Sequence, residues 1–167
     1  MAIILDNKRI SESMPLDYTI ERLGYDDFIK SIEEFLGEYF RGLAELEVKT
    51  VQDGTVVISA HGFAYFLRKL IVHIFGKELL KIKMLAQDMR IYATLSYKSD
   101  TPLPEDVKVE LERVARLSGF NTGFDFDGEN ATVLATITLE ERSYLSIYAK
   151  NNRKMRYALN QIFFLEF

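Results

Sequence analysis

Apolar residues recur at helical spacing in the first quarter of the chain. Between Tyr25 and Leu43 they follow one another at steps of three, four and one, which is the repeat of an amphipathic helix. Asp26 and Asp27 stand at its start, where acidic side chains favour a helix N-terminus. The opposite face is polar and carries the acids Glu33, Glu34 and Glu38.

Two further segments are predicted to be helical. Residues 60–75 are apolar on almost every side, which is typical of a buried helix. Residues 105–117 follow a loop that contains Pro102 and Pro104, and they end before Gly119, a residue suited to a helix C-terminus.

Strands are predicted between the helices. The Asp53-Gly54 pair favours a type I′ turn, and Gln87-Asp88 and residues 127–130 are also turn-forming. These turns predict three hairpins: 46–52 with 55–59, 79–85 with 89–97, and 121–126 with 132–139. The element order is therefore helix and hairpin, three times over, followed by a tail.

The tail from residue 140 combines aromatic and basic residues. Met155, Leu159, Ile162 and Phe163 have helical spacing, whereas residues 144–149 fit either a strand or a helix. Such a large apolar surface is rarely left exposed to water, so we expect another surface to bury it. We expect it to dock on another copy of the chain, with packing onto its own domain as the alternative. In either arrangement its basic face, formed by Arg153, Lys154 and Arg156, is expected to meet Glu33, Glu34 and Glu38.

Composition narrows the class of protein. The chain has 167 residues, 48% of them hydrophobic, and is expected to form a single domain, 1–167. It has no cysteine, which excludes a disulfide framework, a thiolate zinc site and a cysteine nucleophile. No apolar run is long enough to cross a bilayer, so a cytoplasmic protein without membrane contact is expected.

Charge is unevenly distributed. Residues 1–47 carry eleven acids against five bases, and residues 140–167 carry five bases against three acids. The net charge of −4 disfavours nonspecific nucleic-acid binding. The basic run 150–156, with Tyr148 and Tyr157 nearby, is a candidate contact for nucleic acid or an acidic partner, but a solvated helix face is the favoured interpretation.

Residues 46–139 resemble the ATP-binding domain of the histidine-kinase-like ATPase superfamily, also called GHKL. The segment Phe66-Leu-Arg-Lys-Leu-Ile-Val-His-Ile-Phe75 is similar to that family's nucleotide-binding helix, and residues 107–139 are similar to its last helix and closing hairpin. The resemblance implies an α+β fold: a two-layer α/β sandwich whose mixed, mostly antiparallel sheet has helices on one face. Residues 1–45 and 140–167 would then be an N-terminal helical segment and a C-terminal extension.

The resemblance also implies a chemistry, and the sequence departs from it. The family's first helix carries asparagine to hold Mg²⁺, whereas the matching positions here are His73 and Lys77. Its adenine site has an Asp followed by glycines, but Asp100 is followed by Thr and Pro. Its glycine-rich lid is missing, because Pro104 leads directly into the last helix.

The sequence therefore predicts a degenerate member with no catalytic residues, no metal and no cofactor. We expect a noncatalytic regulatory or protein-interaction module that forms a homo-oligomer and binds an unidentified regulatory protein. The alternative is a nucleotide-binding ATPase or kinase-type domain with an altered pocket formed by Lys77, Lys98 and Asp100.

Other candidate residues have simpler interpretations. His61 and His73 are expected to pack or cap helices, and neither belongs to a zinc-binding pattern. Asp125 and Asp127 have the spacing of paired carboxylates on one strand face, but a solvated strand entering a turn is favoured.

Overall fold

A computed structural model describes residues 17–74, 77–141 and 153–164. These residues form seven strands and four helices. In chain order the elements are β1 (Glu21–Gly24), α1 (Tyr25–Tyr39), β2 (Ala44–Thr50), β3 (Thr55–Ile58), α2 (Ala60–Ile74), β4 (Leu80–Gln87), β5 (Arg90–Lys98), α3 (Glu105–Ser118), β6 (Asn121–Phe126), β7 (Asn130–Glu140) and α4 (Lys154–Phe163).

The strands form one mixed sheet in the order β1-β3-β7-β5-β4-β2, with β6 paired to β7. Strand β7 organises it. One edge of β7 pairs with β5, and the other pairs first with β6 and then, from Thr138, with β3. Among the strands of the described residues, only β2 and β4 run parallel. The predicted mixed, mostly antiparallel sheet is confirmed.

The helices lie on one face of this sheet. Along β4, Ile82, Met84 and Ala86 are buried, whereas the alternate residues Lys81 and Lys83 are exposed. The same alternation runs along β5 and β7, because successive strand side chains point to opposite faces. Helix α2 is buried on nearly all sides, as its apolar sequence predicts. The predicted two-layer α+β architecture is confirmed.

Helix ends follow local signals. Ser59 precedes α2, where its hydroxyl oxygen accepts the backbone N–H of Gly62 at 3.0 Å. Gly119 ends α3 with a φ of +86°, as predicted. Helix α1 ends at Tyr39, earlier than the apolar pattern suggests, and Gly42 with a φ of +80° forms the turn into β2.

The predicted hairpin of 46–52 with 55–59 is wrong. Strand β2 pairs with β4, and β3 pairs with β1 and β7. Gly54 is not among the positive-φ glycines of the described residues, so Asp53-Gly54 is not a type I′ turn. A Cβ at Gly54 would instead lie 2.3 Å from the backbone oxygen of Glu140. Glycine is required there for a close approach to β7.

The other two hairpins are confirmed with small shifts. Strands β4 and β5 turn at Asp88 and Met89, both with positive φ, and Met89 N–H donates to the side-chain oxygen of Gln52 at 2.7 Å. Strands β6 and β7 are joined through Gly128, which has a φ of +91°.

The C-terminal helix α4 packs on α1 and α2 of its own chain. Five of its residues are at most 1% exposed: Met155, Ala158, Leu159, Ile162 and Phe163. The expectation that this apolar set docks on another copy is therefore wrong for residues 153–164. The tail's other aromatic residues at 144, 148 and 167, and the segment 144–149, lie outside the described residues.

The predicted charge pairing between tail and first helix is confirmed in large part. Arg153 pairs with Glu34, and Arg156 pairs with Glu38. Lys154 contacts Glu21 at 3.3 Å, although an acid of α1 was expected there. Because these cations are already paired, the described part of the basic run has little charge left for another partner.

Candidate ligand-binding cleft

An open cleft of about 750 Å³ lies beside the C-terminal end of α2. Its other walls are the segment 98–104 after β5 and the turn between β6 and β7. Lys77, Lys98 and Asp100 all line it. The structure therefore brings the three residues of the predicted altered pocket together around one open space.

The segment 99–104 forms a short wall held by its own hydrogen bonds. The Ser99 hydroxyl donates to the Thr101 carbonyl at 2.7 Å, and Ser99 N–H donates to the Glu129 carbonyl at 2.9 Å. Leu103 is buried, and Pro104 directly precedes α3. The link from β5 to α3 is thus only six residues long and is fixed to the neighbouring turn.

His73 and Tyr97 form the apolar side of the cleft. Their rings meet edge to face with centroids 6.1 Å apart. Burial raises the pKa of Tyr97. Burial lowers the pKa of His73, and nearby Lys77 adds to this shift. At neutral pH His73 is therefore an uncharged ring packed on Tyr97, which agrees with the packing role that its sequence position favours.

The charged side of the cleft is more acidic than basic. The ammonium groups of Lys77 and Lys98 share it with the carboxylates of Glu78, Asp100 and Glu129. These carboxylates do not gather into a metal centre: no group of three or more metal-binding His, Asp or Glu side chains occurs within residues 17–74, 77–141 and 153–164. The cleft as a whole therefore offers a polyphosphate no net electrostatic attraction.

The turn between β6 and β7 brings Glu129 and Asn130 to the cleft, and neither residue was predicted from the sequence to belong to a site. Asp127 accepts the backbone N–H groups of Glu129 at 2.8 Å and Asn130 at 2.7 Å. These bonds lower the pKa of Asp127. Asp127 therefore shapes the turn, whereas Asp125 lies exposed on β6. Asn130 reaches the cleft because it pairs with Lys98 across β7 and β5, a long-range register that no local pattern predicts.

His61 lies away from the cleft, at the contact between α2 and α4. Its Nε2 is 2.5 Å from the side-chain oxygen of Gln161, and its ring faces Tyr157. His61 therefore packs between α2 and α4, as expected. None of the described helices is both long and apolar enough to span a membrane.

Comparison with known proteins identifies the fold but no sequence relative. No protein-family model matches the chain, and no curated protein matches it significantly. Solved structures do match. Histidine kinase AdeS of Acinetobacter baumannii superimposes with a TM-score of 0.55 over 79% of this chain and 73% of its own, at 10% identity. The histidine kinase domain of the E. coli osmosensor EnvZ gives 0.56 over 78% and 94%, at 8% identity.

The chain has the histidine-kinase ATPase fold. The catalytic domain of histidine kinase ThkA agrees, with a TM-score of 0.54 over 72% of this chain and 97% of its own, at 10% identity. A longer ThkA chain, solved in complex with the response regulator TrrA, gives 0.55 at 12% identity and is covered to 46%. Identities this low establish the fold alone.

Proposed function

We propose that this chain is a noncatalytic regulatory or protein-interaction module on a degenerate histidine-kinase-like ATPase scaffold. The observation that supports this most is the composition of the open cleft. His73 and Lys77, which stand where the resemblance calls for metal-binding asparagines, both line it beside three carboxylates. We further propose a single cytoplasmic domain, 1–167, with additions at 1–45 and 140–167 to a core at 46–139.

Loss of the metal ligand is the first argument. Mg²⁺ prefers oxygen ligands, which an ammonium group or an imidazole does not supply. Three carboxylates line the cleft against two ammonium groups, so the cleft as a whole offers a triphosphate no net attraction.

The wall opposite α2 gives the second argument. A close backbone approach to a flat base needs glycine, because any side chain holds the base away. Between Tyr97 and Pro104 the chain has no glycine and has prolines at 102 and 104. The wall is also tied to Glu129 by the Ser99 hydrogen bond. It therefore offers neither a close approach nor a mobile lid.

A protein is the partner that we propose. ThkA, which shares this fold, has been solved bound to a response regulator. A chain that contains this fold is thus seen in complex with a regulatory protein. We propose that the present chain acts by binding a regulatory protein and by associating with a second copy of itself. Nucleic acid is not proposed, because the net charge is −4.

A second candidate is nucleotide binding through Lys77, Lys98 and Asp100. It is favoured by the finding that all three line one open cleft. The volume of about 750 Å³ also lies within the usual range of roughly 300–1,000 Å³ for ligand sites.

Isothermal titration calorimetry separates the two candidates. ATP and ADP are titrated with and without Mg²⁺, and no binding tighter than about 1 mM is expected. A dissociation constant in the low micromolar range would show that the module does bind nucleotide. The Lys77→Ala/Lys98→Ala variant would then lose this binding if the second candidate is right, whereas Lys30→Ala on the exposed face of α1 would keep it.

A further inference from the structure

Strand β2 lies at one edge of the sheet that the described residues form. It is the last strand of the sheet, and within the described residues no strand pairs with its outer side. Leu80 N–H donates to the Leu43 carbonyl at 2.9 Å, and Val51 N–H donates to the Ala86 carbonyl at 3.3 Å. These two bonds show which residues of the strand direct their backbone N–H and C=O groups toward β4. Odd-numbered residues direct their backbone groups toward β4, so Leu46 and Val48 direct theirs outward.

The sequence around this edge is self-complementary about Glu47. Residues equally far from Glu47 on its two sides have matching character. The pairs are Leu46 with Val48, Glu45 with Lys49, Ala44 with Thr50, and Leu43 with Val51. An antiparallel pairing of two identical strands about a two-fold axis at Glu47 brings these partners opposite each other.

We propose that two copies of the chain associate through β2, antiparallel about a two-fold axis at Glu47, and so join their sheets into one. The outward backbone groups of Leu46 then bond those of Val48 in the second copy, since both residues point away from β4. Glu45 lies beside Lys49 of the second copy, and this ion pair occurs twice. The proposal concerns association only and does not depend on what the cleft binds.

Two neighbouring registers are disfavoured for different reasons. If the axis shifts by one residue to Leu46, Glu45 meets Glu47 of the second copy twice, and like charges directly opposite are destabilising. If it shifts to Val48, Glu47 meets Lys49 favourably, but Leu43 then lies opposite Asp53 and Val51 opposite Glu45, so the apolar ends of the strand lose their cover. When the axis lies at Glu47, this residue faces Glu47 of the second copy. Each of these carboxylates has Lys83 of its own chain 4.0 Å away, which offsets their repulsion.

The edge also leaves apolar surface in water. Val51 is 60% exposed and Leu43 is 37% exposed, and Leu46 and Val48 are only partly buried. In the proposed register Leu43 covers Val51 of the second copy at each end of the strand. A free strand edge is otherwise a liability that proteins guard with charge. Here Glu45 and Lys49 carry opposite charges, so a second copy of the same strand can pair with this edge.

A cysteine introduced at the axis tests the geometry. The chain has no cysteine of its own, so Glu47→Cys gives a single thiol. Opposed residues in a non-hydrogen-bonded antiparallel pair have Cα atoms about 4.5 Å apart, within the disulfide range of about 4.4–6.8 Å. Mild oxidation should give a covalent dimer on a non-reducing gel. The control Lys83→Cys, similarly exposed one strand inward, should stay monomeric. Equal cross-linking of the two variants would overturn the proposal.

Charge reversal tests the register in solution. Glu45→Lys alone and Lys49→Glu alone should each weaken dimerisation by about tenfold or more in sedimentation equilibrium, because both symmetric pairs become like-charged. An equimolar mixture should recover the dimer, since each lysine then meets a glutamate. Circular dichroism checks that both variants are folded. A wild-type chain that is monomeric at 100 µM (about the upper working concentration), or a dimer unaffected by either variant, would show the proposal to be wrong.

Discussion

The guanidinium group of Arg156 lies 2.5 Å from a carboxylate oxygen of Glu38, 118 residues earlier in the chain. It also lies 5.5 Å from the ring centre of Phe35 and 5.8 Å from that of Tyr39. Most of the Arg156 side chain is covered, with 17% exposed. This contact fixes the start of α4 on α1, over the aromatic cluster that Phe163 and Phe35 form.

Arg156→Ala should therefore destabilise the fold more than loss of an ordinary surface charge. The variant loses packing and two cation–π contacts, for which about 0.5–1 kcal/mol is the usual scale at a partly exposed site. Urea denaturation measures the change in the free energy of unfolding. The control Arg116→Ala removes an exposed arginine from α3, and its effect should be within about 0.5 kcal/mol of zero. Equal effects of the two variants would contradict the role of Arg156.

Stability should decrease in two steps as the pH falls. His73 has a lowered pKa, so its contribution is complete above its ordinary value of 6.5 and is lost as the pH falls through the folded-state value. Glu38 has a lowered pKa because Arg156 donates to it, so its contribution is lost in the same way below 4.5. Asp27 acts in the opposite sense, since burial raises its pKa.

Thermal unfolding followed across pH 3–8 (roughly the range that spans both groups) measures these steps. His73→Asn should remove the decrease that begins near 6.5, and Arg156→Ala should reduce the decrease that begins near 4.5. Equal changes of melting temperature in the wild type and in His73→Asn between pH 7 and 5 (about the window of the imidazole) would show that His73 is not held neutral by the fold.

Local signals predicted the helices and two of the hairpins. The apolar repeat of α1, the all-round apolar α2 and the Gly119 terminus of α3 each depend on residues close together in sequence. The wrong or missing predictions concern strands whose pairing partners lie far away in the sequence. Nothing local indicates that β2 pairs with β4, or that residues 21–24 form a strand on β3.

The residues of the cleft were also predicted only in part. The resemblance implied that Lys77, Lys98 and Asp100 could share an altered pocket, because the ends of α2 and β5 meet in the fold that the chain resembles, and all three line the cleft. Glu129 and Asn130 were missed, since only the pairing of β7 with β5 brings them there. For the tail, apolar content showed that residues 153–164 need cover, but not that α1 and α2 provide it.

Leu159→Ala should destabilise the chain by about 2–5 kcal/mol, the range for a buried leucine. Leu159 is fully buried in α4, which covers α1 and α2. The matched control is Tyr157→Ala on the same helix, where the side chain is 63% exposed. Chemical denaturation should show a small change for the control. If Leu159→Ala cost less than about 0.5 kcal/mol, α4 would not be packed as the structure has it.

Two glycine-to-alanine changes should have opposite signs. At Gly54 the new Cβ would meet the backbone oxygen of Glu140 at 2.3 Å, and a backbone atom within β7 cannot move aside without disturbing its pairing with β3. Gly54→Ala should therefore destabilise by about 1–3 kcal/mol, the usual cost of overpacking. Gly37 lies inside α1 and has nothing within 4 Å of its Cβ position. Gly37→Ala should stabilise by about 0.5–1 kcal/mol, because alanine is the better helix former. Both are measured by urea denaturation of the full chain. A neutral Gly54→Ala would mean that Gly54 does not approach the backbone of β7 as closely as the structure has it.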